Sequence, residues 1–300
     1  MNSTRADVYT RVTNEIVAQL EAGTRPWLQP WQAGHAAGEV SRPLRFNAIP
    51  YRGINVVLLW LAAMRQHFTN PLWMTFRQAA ELGAQVRRGE KGSLVVYASS
   101  FTRRQIDGSG EEQEHEVPFL KSYSVFNAEQ IDGLPPRYYA QAEPQQHSLK
   151  RVDRAEIFFR RTGADIRHGG SVAYYASDAD RIQMPAFDTF RDAESYYATL
   201  AHEVTHWTRH PSRLAREFGR QRWGDEGYSM EELVAELGAA FLDADLGLTP
   251  EPREDHAAYI ASWLKVLKND KRAVFAAAAH AQRAADFLHG LQSREPAHAA

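Results

Sequence analysis

Two histidines four residues apart, His202 and His206, enclose Glu203 in the run His202-Glu203-Val204-Thr205-His206. On an α-helix this spacing puts both imidazoles on one face, where they can share a metal ion. Neutral imidazole nitrogen is a good ligand for Zn²⁺, and a catalytic zinc site leaves one position open to water. Glu203, beside the first histidine, is placed to take a proton from that water. The chemistry is therefore hydrolysis, with Glu203 as the base. The plain alternative is a pair of surface histidines on an amphipathic helix.

Such a site needs a third protein ligand. His210 follows at the same spacing, but on a continuous helix it stands about 12 Å along the axis from His202, too far for bonds of about 2 Å to one ion. Ser212 occupies the place where a third histidine beyond a turn would stand. The better candidate is Glu232, with Ala235 and Glu236 following it, which resembles the second motif of gluzincins. In that group the first acid binds zinc and the acid one turn later holds a ligand histidine, as a ligating imidazole generally requires of its other N–H. Ser229 to Glu232 also fits a capping box, and Glu232, Glu236 and Asp243 also fit a solvent-facing stripe. Glu231 and Asp225 are reserve ligands, and Tyr228, His256 and Tyr259 are candidates to steady an oxyanion.

These residues need elements to position them. Apolar residues at Val8, Val12, Ile16 and Leu20 predict a helix over 7–22, stopped by Gly23. Further helices are expected over 54–67 and over 75–82, the latter ended by Gly83. Segments 93–102 and 117–126 are rich in β-branched and aromatic residues and read as a hairpin around the polar loop at Asp107 to Gly110. Gly133, Pro135, Pro136 and Pro144 mark a linker, set at 134–148, between a first domain over 1–133 and a second over 149–300. The second domain opens with a helix over 151–161 and strands over 171–176 and 181–184. The histidine helix follows, with Thr189 to Asp192 as its capping box and Pro211 past its end. Helices over 230–246, 255–268 and 271–290 complete it. The strand at 181–184 is expected to offer its edge to an extended peptide. The fold class is α+β, with a mixed first domain and a mostly helical second domain carrying a small sheet.

Composition narrows the chemistry. The 300 residues are 44% hydrophobic, as a packed protein requires, and contain no cysteine. Thiolate ligands, thiol nucleophiles and disulfides are thereby excluded. The first residues lack the apolar stretch of a signal peptide, and the longest apolar run, 56–64, is far short of the roughly 20 residues that span a bilayer. The reading is a cytoplasmic protein without a membrane partner. The net charge of −2 conceals a local excess: between Arg42 and Arg104 ten basic residues face two acidic ones. Aromatics alternate with these cations at Arg45, Tyr51, Arg52, Trp73, Phe76, Arg77, Arg87, Arg88, Lys91, Tyr97, Lys121 and Tyr123. Cationic grooves with aromatic faces hold single-stranded DNA without reading its sequence. Arg87, Arg88 and Lys91 share a loop with Gly89 and Gly92, which lets backbone approach a phosphate. Arg45, Tyr51, Arg52, Trp73, Arg77, Arg87, Arg88, Lys91 and Lys121 are the candidate DNA contacts. Trp60, inside the apolar run, reads as core.

The chain also resembles the ArdC antirestriction family of conjugative plasmids. The match runs through Asp7 to Tyr9, Trp27 and Trp31, 51–60, 73–79, 86–92 and 125–127 in the first domain. In the second it runs through 180–185, the histidine motif to Thr208, and Glu231 to Gly238. The resemblance implies a single-stranded-DNA-binding domain joined to a zincin-like (gluzincin) metallopeptidase domain, and protection of incoming plasmid DNA from host restriction during conjugation. The expected site is His202, His206 and Glu232 on zinc, or another divalent metal such as manganese, with Glu203 as base and Glu236 behind a ligand histidine. The expected partners are single-stranded DNA and a host protein substrate such as a restriction or regulatory component. Two alternatives stand beside this. One is a DNA-binding protein with a structural or inactive metal site, and the other a regulatory metalloprotease that cuts a host repressor or restriction subunit.

Overall fold

The computed structural model describes residues 7–23, 27, 42–106, 112–139, 149–219, 225–248 and 257–293, with backbone alone at 100–106, 112–119, 149–152 and 257–259. Trp31 and the loop at 107–111 lie outside them. The order of elements gives a mixed α+β fold of eight helices and several small sheets among the described residues. No described helix is long and apolar enough to cross a membrane.

Helix α1 (Val8–Glu21) starts at Asp7, whose carboxylate accepts the Thr10 N–H at 2.9 Å. Its buried stripe of Val12, Ile16 and Leu20 packs on α7 (Ala257–Asn269), far away in sequence, and Tyr9 meets Phe275 edge-on at 4.7 Å. Helix α2 (Ile54–Gln66) is apolar nearly all round and is buried accordingly, Trp60 included. The Asn55 side chain exchanges two 2.8 Å hydrogen bonds with the Val96 backbone, which pins α2 to the hairpin.

The hairpin strands are longer than their apolar cores foretell: β4 (Ser93–Ile106) and β5 (Glu112–Asn127) pair antiparallel throughout, with Tyr97 opposite Lys121 and Val95 opposite Tyr123. Two short strands, β1 (Leu44–Arg45) and β2 (Leu72–Met74), extend the sheet in the order β1-β2-β5-β4. Helix α3 (Phe76–Glu81) is closed by a capping box of Thr75 and Gln78. With the small pair β3 (Gln85–Val86) and β6 (Ile131–Asp132) it encloses a second core around Met74, Ala79 and Ile131. Leu134 and Tyr138 pack into that core, so ordered packing continues past residue 133. Residues 140–148 of the expected linker lie outside the described residues.

After α4 (Leu149–Arg161), β7 (Asp165–His168), β8 (Tyr174–Ala176) and β9 (Arg181–Met184) form a sheet in the order β7-β9-β8. This corrects two expectations. The strand at 171–176 shortens to 174–176, and β9 is the central strand with partners on both sides, so it has no edge to offer a peptide. The free edge near the histidine helix belongs to β8 and the residues just before it.

Helix α5 (Ala193–Trp207) is capped by Asp192, which accepts the Ser195 N–H at 2.7 Å. The capping box at Thr189 does not form, because its hydroxyl bonds the Ala186 carbonyl in a 3-10 turn. Helix α6 (Glu226–Leu246) begins a turn earlier than expected and is buried along almost its whole length between α5, α7 and α8 (Ala273–Gln292). It is the central beam of the molecule.

The halves share one core. Val12, Trp27, Leu59, Trp60 and Val95 join the same apolar cluster as Leu200, Phe241, Trp263 and Val274, with Trp27 against Trp263 and Trp60 against Phe241. A polar seam runs beside it. Arg42 is bidentate to Asp245, at 2.6 and 2.8 Å, and donates to Gln282, which also accepts the Gly53 N–H that opens α2.

Candidate metal centre and nucleic-acid face

Helices α5 and α6 pack side by side in opposite directions, with His202 beside Glu236 and His206 beside Glu231, and one close approach between them has a specific cause. Gly238 lies against Thr205, where a Cβ would stand 2.5 Å from Cγ2 and 2.7 Å from Oγ1. Only glycine allows this separation. It brings the acids of α6 onto the imidazoles of α5.

His202, His206 and Glu232 each present a ligand atom, all within 4.8 Å of one another. The two Nε2 atoms are 3.1 Å apart, and each stands 3.5 Å from a Glu232 oxygen. In a tetrahedral site with bonds of about 2 Å the ligand atoms lie roughly 3.3 Å apart, so this donor set, with one Glu232 oxygen facing each imidazole, has the dimensions of a site for a Zn²⁺-sized cation. The electrostatics point the same way. Burial alone would lower the pKa of His202, yet the hydrogen bond to Glu232 and the charges of Glu203, Glu232 and Glu236 raise it to about 9. Burial would raise Glu232, but the two histidines pull it down to about 2, with a hydrogen bond from Tyr228 adding to the effect. The acids thus create a demand for positive charge at one point. Glu232, Glu236 and Asp243 are all buried, which excludes the solvent stripe.

Behind the ligand atoms the two imidazoles are held unequally. His202 Nδ1 lies 3.7 Å from Glu236 Oε2. His206 Nδ1 is held closer, donating to Glu231 Oε1 at 3.0 Å. Glu231 is in turn gripped by Arg216, with Nε on Oε2 at 2.8 Å and Nη2 on Oε1 at 2.7 Å. Burial raises the Glu231 pKa, but Arg216 and His206 outweigh it and hold the carboxyl below its ordinary value. Glu231, a reserve ligand in the sequence, therefore stands outside the cluster as the acid on His206, and Arg216 was not foreseen at all. A contact between residues fifteen apart that share no element has no periodicity to betray it. The one available signal was the doubled acid Glu231-Glu232, whose members point at different partners.

His210 lies past the end of α5 and bonds Ser212 at 2.8 Å, away from the cluster. Asp225 is the N-cap of α6. Tyr228 is engaged with Glu232, while His256 and the Tyr259 side chain lie outside the described residues.

A cavity of about 550 Å³ opens in front of the cluster. Glu203 lines it beside His202, Glu232 and Glu236, and the opposite wall is residues 170–173, leading into β8. A shallower hollow on the far side of 170–172 is bounded by His168, Tyr174 and Gln183. Val172 is 63% exposed and Tyr174 47% exposed at the mouth.

The expected DNA contacts divide into two groups. Trp73 and Tyr51 are buried, at 1% and 4% exposure, so neither offers a face to a base. Trp73 packs edge-on to Phe68, and Tyr51 lies under the Arg45 guanidinium. Several cations are answered by carboxylates distant in sequence: Arg42 by Asp245, Arg52 by Asp286, Arg65 by Glu15, and Arg87 by Asp132 in addition to its near neighbour Glu90. The local charge excess is therefore smaller in space than in sequence. Arg77 is highly exposed and pairs with Glu81 on its own helix. Arg45, Arg88, Lys91 and Lys121 are exposed. Of the aromatics interleaved with these cations in the sequence, Phe76 beside Arg77, Tyr97 and Tyr123 are exposed. The strand register sets Tyr97 opposite Lys121 and puts Tyr123 on the same face of the hairpin.

A family model described as the N-terminal domain of anti-restriction factor ArdC matches residues 6–126, and one described as a zincin-like metallopeptidase matches residues 153–280. The uncharacterized protein y4eC of Sinorhizobium fredii is 43% identical over 97% of this chain and 94% of its own. DNA primase TraC of Escherichia coli is 38% identical over 98% of this chain, which spans only 28% of that primase. The crystal structure of the antirestriction ArdC protein from plasmid R388 in its metal-free form superposes with a TM-score of 0.81 at 46% identity, covering 96% of this chain and 98% of that one. Its Mn(II)-bound form gives 0.78 at 45% identity, covering 97% and 100%.

Proposed function

The chain belongs to the ArdC antirestriction family, and from that premise we propose that it guards incoming single-stranded plasmid DNA by joining DNA binding to metal-dependent peptide hydrolysis. The observation that carries the reading is the convergence of His202, His206 and Glu232 within 4.8 Å on the wall of a cavity that also holds Glu203. Two imidazoles and a carboxylate are a donor set of zinc hydrolases, which favours zinc. The Mn(II)-bound form of the R388 protein keeps manganese as the second choice.

His202, His206 and Glu232 would hold the ion, and when bound it supplies Lewis acidity and a water of lowered pKa. Glu203 takes the proton of the attacking water and returns it to the departing amine. Residues 170–173 run along the cavity and lead into β8, whose outer edge is where an extended peptide would add. The substrate in this reading is a host protein, a restriction or regulatory component.

For DNA the reading rests on the exposed groups. Tyr97 and Tyr123 offer faces for base stacking, Lys121 stands beside Tyr97, and Arg45, Arg77, Arg88 and Lys91 supply charge to phosphates. Arg52, Arg77 and Arg87 would each do so by exchanging a carboxylate for a phosphate.

The test is Glu203→Gln, which keeps the three ligands and removes the base. The variant is expected to bind metal as the parent does and to lose protection in a conjugation assay against a restricting host. Proteins cleaved in cells carrying the parent should be intact in cells carrying the variant. Full protection by Glu203→Gln would remove hydrolysis from the function and leave a DNA-binding protein with a structural metal.

A further inference from the structure

We propose that Arg216 is a positioning residue for the metal site, acting through Glu231 on His206, and that this buried clamp sets the affinity for the ion. The inference rests on His202, His206 and Glu232 being the ligands.

The clamp is complete. Arg216 is 3% exposed and Glu231 2% exposed. Beyond its two bonds to Glu231, the guanidinium donates from Nη2 to the Thr205 carbonyl at 3.0 Å and from Nη1 to the Thr208 hydroxyl at 3.1 Å. One side chain thus ties the last turn of α5, which carries His206, to the first turns of α6, which carry Glu232. A planar guanidinium bidentate to a carboxylate fixes direction as well as distance. Glu231 cannot rotate without breaking both bonds, so its Oε1 stays aimed at His206 Nδ1. That holds the imidazole proton on Nδ1 and leaves Nε2, the atom facing His202 and Glu232, as the free lone pair.

The chain accepts strain to achieve this. After α5 it turns back on itself, with Leu214 N–H on the Thr208 carbonyl, Ala215 N–H on that of His210 and Arg216 N–H on that of Arg209. Ala215 takes a left-handed conformation with φ of 46°, which disfavours any residue with a Cβ. A buried ion pair is also a poor device for stability alone, since desolvation consumes most of its Coulombic gain. Both features make sense where the guanidinium must reach one particular acid. The contrast with His202 is direct, because its Nδ1 has Glu236 only at 3.7 Å.

The experiment measures Zn²⁺ affinity of the full chain by competition with a chromophoric chelator, alongside the melting temperature of the metal-free protein. Arg216→Met and Glu231→Gln are compared with Arg213→Met. Arg213 belongs to the same turn and bonds the Trp207 carbonyl, but it faces Asp180 and the Trp207 ring instead of an acid on a ligand. Arg216→Met is expected to weaken Zn²⁺ binding by about 10- to 100-fold. Glu231→Gln, which keeps an acceptor for Nδ1 but loses the charged grip, is expected to fall between it and the parent. Arg213→Met is expected to melt earlier with unchanged affinity. Parental affinity in Arg216→Met would overturn the proposal, as would an equal loss in Arg213→Met. If Arg216→Met does not fold, Glu231→Gln decides, and parental affinity there overturns the clamp. Should the parent take up no Zn²⁺, or His202→Ala take up as much as the parent, the ligand assignment fails first and the clamp with it.

Discussion

Asp243 sits one helical stretch beyond the ligands, on the same face of α6, and it is buried with Oδ1 lacking a hydrogen-bond partner among the described residues. Burial first, and then the charges of Glu236 and Glu194, raise its carboxyl well above the ordinary value, against a smaller opposing pull from His202. The folded chain therefore keeps a proton that the unfolded chain releases. Stability from this group is full below the unfolded value of 3.8 and is lost as pH rises towards the raised folded value. Asp243→Asn is neutral at every pH and escapes that loss. In chelator-treated protein it is expected to melt higher than the parent at pH 7, with the gap closing towards pH 4. Parallel melting profiles across that range would show that the acid is not desolvated. At this scale the sequence revealed the residues that carry a spaced motif, such as His202, Glu203, His206 and Glu232. It concealed Asp243 and Arg216, because burial and a through-space partner leave no trace in local spacing. Trp73 and Tyr51 misled for the same reason: an aromatic beside a cation reads alike whether it faces a base or a core.

The pairing of α5 with α6 decides whether the motif residues meet, and Gly238 decides the pairing. By helix propensity alone, alanine at an interior glycine would gain about 1 kcal/mol. Here its Cβ would enter the Thr205 side chain, and overpacking of this kind costs about 1–3 kcal/mol. Gly238→Ala is therefore expected to be net destabilising in urea unfolding, and to weaken Zn²⁺ binding by parting Glu232 from the imidazoles. An increase in stability would mean that the helices do not pack as closely as described. Long helices were legible: α1, with its apolar stripe, and α2 and α8 lie close to their expected positions. The two-residue strands β1, β3 and β6 carry too few residues for any period. Strand β7, with Asp165, Arg167 and His168 among its four residues, has no apolar pattern, and without it β9 reads as an edge.

Over the whole molecule, the DNA reading separates into two measurable parts. Replacing Arg88 and Lys91 by Glu is expected to weaken binding of an oligothymidine and to flatten its dependence on salt. Replacing Tyr97 and Tyr123 by Ala is expected to weaken it with the salt slope kept, by about 1–3 kcal/mol for each stacked base lost. Unchanged binding in both variants would move the DNA surface away from the hairpin and the 87–92 loop. Two regions separated by a Gly- and Pro-rich stretch were suggested by composition. The core joining Trp27 to Trp263 and Val12 to the C-terminal helices was not, since nothing local announces which distant helix an apolar stripe will meet.

That joint core bears on how such a chain can travel between genes. A cut between the halves would strip α1 and α2 from the helices they cover and leave two exposed apolar faces. The alignment with the much longer TraC primase takes in 98% of this chain and so carries both halves together.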